Sequence, residues 1–416
     1  MASGIVEFEN RIRALNDHQS SEHFDIHFNY HNPRRQIGTI TGGVRSRALI
    51  SFYVDALERL YRAMSGPLFQ RRAPNANGKK TNVFVLDLSG VTASGEPFTA
   101  SSGSDAYIAL PCRTDEPTIH AEYQYAATSA VHEATHVFNH AMRPIGSSKN
   151  WQWFDEATAI FMESWVLPGN QDYLRLTRTW NDVPEASLDD EQHWYASGAF
   201  VAYLVKSEKP EFLTTIWNYP GKEASALEAI EEALKARYKK LFSDDPSELN
   251  TVFSQYCIDS YTLWDTSGLG FLPDLYARYG ERAVTESFPV KSGKSWQPSA
   301  YSLNHLACRY FLLDIRQDVS QLEVKMKTPL RNGRTFLKAA LVEIKENLGR
   351  GKTWPLKPNI IHAGDHTALF STGPIPVDSV LLDHMVLVVS HCGYRDSHVP
   401  QNLPVNNVNF TLEIIS

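Results

Sequence analysis

Val131-His132-Glu133-Ala134-Thr135-His136-Val137 lies inside a segment, Ala121 to Ala141, that reads as one helix ended by Arg143-Pro144, because a residue before proline is pushed out of the α region. Residues four apart on a helix share a face, one turn above the other. His132 and His136 therefore present two imidazoles to a single ion. Glu133 stands about 100° round the helix. From there it is poorly placed as a further ligand but can reach a water at the ion, which is how H-E-x-x-H spacing works. His140 adds another step of four. A straight helix carries it past the ion, so it reads as a partly exposed histidine.

Two histidines leave a tetrahedral zinc one protein ligand short, since catalytic zinc sites use three and keep the fourth place for water. Trp151 to Val166 reads as a second helix, capped by Ser148 or Asn150 and stopped by Pro168-Gly169. Within Trp153-Phe154-Asp155-Glu156-Ala157-Thr158-Ala159, Glu156 is placed in about the first turn, twenty residues beyond His136. Arg143 to Ser148 reads as the loop that turns the chain back. Packed helices about 8–10 Å apart would then bring Glu156 against the histidines. Asp155 is the rival ligand. The aromatic pair before it and the small residues after favour Glu156, and Asp155 reads as a charge at a helix N-terminus. The expected centre is one Zn2+ ion on His132, His136 and Glu156, with Glu133 as general base.

The chain on either side reads in elements. His23 to Tyr30 alternates with period two, as a half-buried strand does. Arg47 to Met64 places Leu49, Ile50, Tyr53, Leu57, Leu60 and Tyr61 at helical spacing. Asn82 to Leu88 and Asp105 to Leu110 read as strands, and Ser89 to Ser104 as a loop. Trp194 to Lys206, Ala224 to Leu241 and Pro246 to Tyr261 read as helices. Composition changes around Lys291 to Pro298. Beyond it strand-like segments dominate, with Arg334 to Leu348 ambiguous between helix and strand. The expected division is a catalytic domain at residues 1–285 (an α/β part to about 145, a helical part from about 146) and a β-rich, sandwich-like domain at 286–416.

H-E-x-x-H followed some twenty residues later by Phe154-Asp155-Glu156-Ala157-Thr158-Ala159 resembles the gluzincin zinc metallopeptidases, the thermolysin and aminopeptidase-like superfamily. The resemblance covers roughly residues 105 to 205, and Asp155 stands where those families often have Asn. It implies an α+β zincin-like catalytic domain, a mixed sheet with an edge strand and then a helical subdomain, here followed by the sandwich-like domain. It implies a zinc-dependent peptidase, with an endopeptidase acting on extended peptide segments as the leading form. It also implies that Tyr107, Ile108 and Ala109 form the edge strand and bind the peptide substrate by β-augmentation. His193-Trp194-Tyr195-Ala196-Ser197-Gly198-Ala199 contains Tyr-x-x-Gly-Ala. In aminopeptidase-like members that pattern begins a helix, and its tyrosine donates to the tetrahedral oxyanion, a role that would fall to Tyr195. Two departures stand out. The chain lacks Gly-x-Met-Glu-Asn, which holds a substrate's free amine in aminopeptidases. Ile160 stands four residues after Glu156, where thermolysin-type members carry Asp, so the outer partners of the histidines are not identified.

A net charge of -7 on 416 residues provides no basic face for nucleic acid. No apolar run approaches the ~20 residues of a membrane span, and Val386 to Val389 reads as a strand. The N-terminus has neither the basic nor the apolar region of a signal peptide, which fits a cytoplasmic protein, or a secreted one already trimmed. Cys112, Cys257, Cys308 and Cys392 form no C-x-x-C. His23, His27 and His31 read as structural, and His362 to His366 as a turn. The competing functions are an aminopeptidase with another amine anchor, a zinc hydrolase for a non-peptide bond, and a catalytically weak or inactive zinc-binding protein whose β domain recognises protein or glycan. The intact Glu133 speaks against the last.

Overall fold

The computed structural model describes residues 2–30, 43–44, 46–71, 74, 79–89, 91–92, 97–102, 105–112, 119–143, 149–168, 182–191, 193–220, 225–238, 248–262, 284–296, 300–329, 337–345, 349–361, 367–377, 382–391 and 407–416. His31, the turn at 362–366, Cys392 and the loop 144–148 lie outside them. The chain forms two compact units, residues 1–175 with 204–222 and residues 176–203 with 223–416.

The first unit contains α1 (Ala2–Arg13), β1 (Asp17–Ser20), β2 (Phe24–Phe28), α2 (Arg47–Ser65), β3 (Thr81–Leu86), β4 (Phe98–Ser102), β5 (Asp105–Pro111), α3 (Ile119–Met142) and α4 (Lys149–Val166). The strands make one sheet in the order β1-β2-β3-β5-β4. β2, β3 and β5 run parallel, and β1 and β4 are antiparallel to their neighbours. β3 reads Thr-Asn-Val-Phe-Val-Leu, and such β-branched and aromatic residues suit a strand covered on both faces. On one face α1 buries Phe8 against Leu86, Leu88 and Ala109, with Phe84, Phe98 and Tyr107 around them. α2 and α3 pack together, α2 against β2 and α3 against β4 and β5. The stripe Leu49, Ile50, Tyr53, Leu57, Leu60 and Met64 of α2 is buried there, and Tyr53 donates to the Pro111 carbonyl at 2.7 Å.

Two expectations change in this unit. Ser89 to Ser104 is not all loop, because β4 lies in it. Its sequence Phe-Thr-Ala-Ser-Ser carries only one large apolar residue, and the strand is defined by its ladder with β5. β5 is consequently interior. Tyr107, Ile108 and Ala109 are paired with β3 on one side and with β4 on the other. Ile108 and Ala109 are buried, and Tyr107 stacks on Phe8 at 5.4 Å. Those residues cannot take a substrate strand, because their ladder hydrogen bonds are already made. Among the described residues the edge on this side of the sheet is β4.

α5 (Gly198–Glu208) carries the chain from the second unit into the first, between Tyr203 and Leu204, and α6 (Glu211–Trp217) follows in the first. Among the described residues the second unit adds α7 (Ala226–Tyr238), α8 (Glu248–Thr262) and twelve strands: β6 (Glu286–Val290), β7 (Ser295–Trp296), β8 (Tyr301–Asn304), β9 (Ala307–Ile315), β10 (Gln321–Pro329), β11 (Leu337–Lys345), β12 (Gly349–Pro355), β13 (Lys357–Ile361), β14 (Thr367–Ser371), β15 (Ile375–Pro376), β16 (Leu382–His391) and β17 (Asn407–Ile415). One sheet runs β12-β11-β16-β9-β6, and the other is built on β13-β14-β10-β17-β7. Phe311, Leu341, Met385 and Leu387 of the first share a core with Val324, Met326, Phe370 and Leu412 of the second, which makes a sandwich. Alternate residues Ala340, Val342, Val386 and Val388 face away from that core yet are also buried. α8 packs on β11 and β16. Burial on both faces explains the unbroken run Val386-Leu387-Val388-Val389. It also turns the ambiguous stretch Arg334 to Leu348, rich in helix formers, into the strand β11.

The division expected at residue 285 moves for the same reason. α7 and α8 belong to the sandwich unit rather than to a catalytic domain ending at 285. Lys338 Nζ donates to Thr251 Oγ1 at 2.7 Å, and Tyr310 Oη to the Cys257 carbonyl at 2.9 Å. Cys112, Cys257 and Cys308 are buried free thiols. Among the described residues no helix is long and apolar enough to cross a membrane.

Buried Glu231 of α7 accepts from the backbone N–H groups of Glu248 at 3.2 Å and Leu249 at 2.7 Å, capping α8 from a neighbouring helix. Glu231→Ala leaves these N–H groups without their acceptor and is expected to cost about 1–3 kcal/mol in urea unfolding. Glu232→Ala, at an exposed neighbour, is expected to stay within about 0.5 kcal/mol. Equal midpoints for the two variants would remove the capping role.

Candidate metal centre

α3 is enclosed by α2, α4, β4 and β5, and its small residues Ala126, Ala130 and Ala134 are buried at these contacts. Enclosure makes every polar side chain on this helix need a partner. His132, His136 and His140 follow one another along it, with ring centres 4.8 and 6.0 Å apart.

α4 packs on α3. It brings Glu156 Oε2 to 3.1 Å from His132 Nε2 and 3.7 Å from His136 Nε2. The three donor atoms lie within 4.8 Å of one another. Around a tetrahedral ion with bonds of about 2.0–2.1 Å, neighbouring ligand atoms stand about 3.3 Å apart. The two measured separations bracket that value, so His132, His136 and Glu156 fit a small divalent cation. Glu156 is the eighth residue of α4, in its third turn rather than its first.

The other ring nitrogens are held by carboxylates. His132 Nδ1 lies 2.7 Å from Glu163 Oε1, and Glu163 is buried. His136 Nδ1 lies 2.9 Å from Asp155 Oδ2. Such contacts set which nitrogen faces an ion, as outer partners of metal-bound histidines do. Glu163 stands seven residues after Glu156, two turns on and on nearly the same face. The position four residues on, Ile160, is not where this partner sits.

Asp155 is more than a charge at a helix end. Asn139 Nδ2 donates to its Oδ1 at 2.6 Å, and His140 Nε2 lies 2.9 Å from its Oδ2. Arg71, buried on the ring of Trp217, donates from Nη1 to Asn139 Oδ1. His140 is therefore tied into a network rather than carried past it. His136, His140 and Asp155 form a second group of donors, but both oxygens of Asp155 already have partners and Arg71 supplies positive charge beside it. We read this group as the hydrogen-bonded support of the first. A third group, Glu22, His23 and Glu58, is a turn clasp. Glu58 accepts from Ser21 Oγ at 2.6 Å and the His23 backbone at 2.8 Å, and His23 stacks on Tyr61.

Electrostatics distinguish the cluster. Asp155, Glu156 and Glu163 place three carboxylates on the imidazoles of α3, with the buried guanidinium of Arg71 acting on Asp155. Burial opposes the charged form of His132, but Glu156 and Glu163 outweigh it and hold the imidazole well above its usual range. Burial likewise opposes His136⁺, and Asp155 with Glu156 raises it to about 9. Asp155 is resisted by burial yet held well below the carboxylate range by His136 and His140. Without a cation, protons on the histidines supply the missing positive charge, and a divalent ion would displace them.

Glu133 is buried on α3. The Thr99 hydroxyl on β4 stands 2.8 Å from both its carbonyl oxygen and its Oε2. The first unit thus gathers His132, Glu133, His136 and Glu156. Tyr107, Ile108 and Ala109 are core residues of β5. Tyr195 belongs to the second unit, in a turn before α5 rather than in a helix, and is 44% exposed. Sequence reasoning did not find Glu163, Asn139, Arg71 or Thr99. The two-turn spacing from Glu156 to Glu163 was the available signal.

The raised and lowered groups predict opposite pH dependences. His136 contributes stability that is fully present below its ordinary value, near 6.5, and lost as pH rises through about 9. Asp155 contributes above about pH 4 and loses its share as pH falls further. Protein stripped of divalent ions is expected to lose thermal stability between about pH 7 and pH 10, and His136→Gln to lose less over that interval. Identical slopes in thermal melts would contradict this account.

No family model matches the chain, and no curated protein matches it. One solved structure it matches is a family GH115 4-O-methyl-α-glucuronidase with specificity for decorated arabinogalactans, at 10% identity and a TM-score of 0.17. The alignment covers 69% of this chain, which spans 41% of that enzyme's length. A TM-score this low marks no common fold.

Proposed function

We propose that this chain is a zinc-dependent peptidase, with His132, His136 and Glu156 as zinc ligands and Glu133 as the base. The observation that carries the reading is the approach of His132 Nε2 and His136 Nε2 to one oxygen of Glu156, at 3.1 and 3.7 Å. Two nitrogens and one carboxylate oxygen are the donor set of a catalytic zinc site with a place left for water. Glu163 and Asp155, on the outer nitrogens, support the same reading. On it the first unit is a zincin-like α+β unit and the second an appended sandwich.

Zinc, when bound, lowers the pKa of water toward about 7 and polarises a carbonyl. The protein supplies the rest. Glu133, one residue from His132, takes a proton from the attacking water and returns it to the leaving amine. An extended substrate pairs with β4, the edge strand among the described residues, instead of β5. The missing Gly-x-Met-Glu-Asn favours an endopeptidase.

Glu133→Gln is expected to lower hydrolysis of an unstructured substrate such as casein by at least about 100-fold while zinc stays bound. Near-normal turnover of that variant ends the assignment. Glu163→Gln is expected to weaken zinc binding about 10- to 100-fold in chelator competition. Glu156→Ala is expected to weaken it further, and undiminished zinc content would point to another ligand.

A further inference from the structure

One hydroxyl touches Glu133 at two points. Thr99 Oγ1 lies 2.8 Å from the backbone oxygen of Glu133 and 2.8 Å from its Oε2. Thr99 is paired with Ile108 across the β4–β5 ladder. Opposite residues of a ladder share a face, and α3 packs on both strands, so the Thr99 hydroxyl is on the helix-facing side of the sheet. A hydroxyl donates a single proton. The carbonyl of Glu133 sits in mid-helix, where Val137 N–H is its partner by the i to i+4 rule. A hydrogen bond to a carboxylate is roughly twice as strong as one to a neutral acceptor. The Thr99 proton therefore goes to Oε2. A free glutamate samples many rotamers, whereas a β-branched threonine in a strand has a stiff χ1. The stiff residue fixes the mobile one.

We propose that Thr99 is a positioning residue. It grips one oxygen of the Glu133 carboxylate from β4 and leaves the other to exchange protons with water. The inference rests on the peptidase reading, because it assigns a holder to that reading's base. It also ties the base to the strand with the open edge, so a substrate strand added to β4 would lie on the element that orients Glu133.

The test is steady-state hydrolysis of casein-derived peptides by zinc-loaded wild type, Thr99→Val, Thr99→Ser and Glu133→Gln, with zinc content measured for each. Thr99→Val keeps the branched shape and removes the donor, and Thr99→Ser keeps the donor. Thr99→Val is expected to lower kcat about 10- to 100-fold, the cost of a misplaced catalytic group, with KM within about twofold and zinc content unchanged. Thr99→Ser is expected to hold kcat within about threefold of wild type. A structural role alone would alter zinc content or the thermal midpoint and would not follow the hydroxyl. If wild type is active, Glu133→Gln is inactive and Thr99→Val matches wild type, the positioning role is overturned and the peptidase reading stands. If zinc-loaded wild type and Glu133→Gln are equally inactive, the reading itself falls, and this inference with it.

Discussion

Carboxylates buried between two helices need positive charge, and the architecture of the first unit follows from that need. Asp155, Glu156 and Glu163 lie against the imidazoles of α3, which become their compensating groups. His132 and His136 each touch two carboxylates, one at each ring nitrogen. His132, hydrogen-bonded at both nitrogens, has a fixed plane and position. Both imidazoles converge on Glu156 Oε2, at 3.1 and 3.7 Å.

The surrounding fold maintains this arrangement by packing. α3 lies between the sheet and two helices, with alanines where neighbours come close, and α4 is anchored by buried Trp151, Trp153 and Phe154. Trp151 and Phe154 pack on Trp217 of α6, and the same indole lies beneath Arg71. Aromatic packing thus positions the start of α4, and with it Asp155 and Glu156. The charged network and the apolar layer share residues, so loosening one displaces the other.

The second unit illustrates how composition alone misleads. β11 carries Lys, Ala, Leu and Glu, which favour helix in isolation, yet it is a central strand because α8 covers one face and the facing sheet the other. β4, with Phe98 as its one large apolar residue, gives only a weak hydrophobic signal, and among the described residues it is the edge of the first sheet. β11 is decided by α8 and β16, which are distant in sequence, and β4 by its ladder with the adjacent β5. α8 likewise joins the sandwich through contacts with β11 and β16, and α7 packs on α8, which no local pattern announces.

What could be read from the chain alone was set by helix periodicity. The four-residue step of His132 and His136, the offset of Glu133 and a carboxylate on the following helix are local facts, because 3.6 residues per turn places them whatever surrounds the helix. Leu49 to Met64 on α2 was legible for the same reason. The tertiary structure alone decided the rest. It turned Asp155 into a hub for Asn139, His136 and His140, placed Glu163 on His132, moved β5 inside the sheet and brought Thr99 to Glu133. Each of these depends on the register and packing of separate elements, which are chosen by the burial of whole faces rather than by the order of residues within any one element.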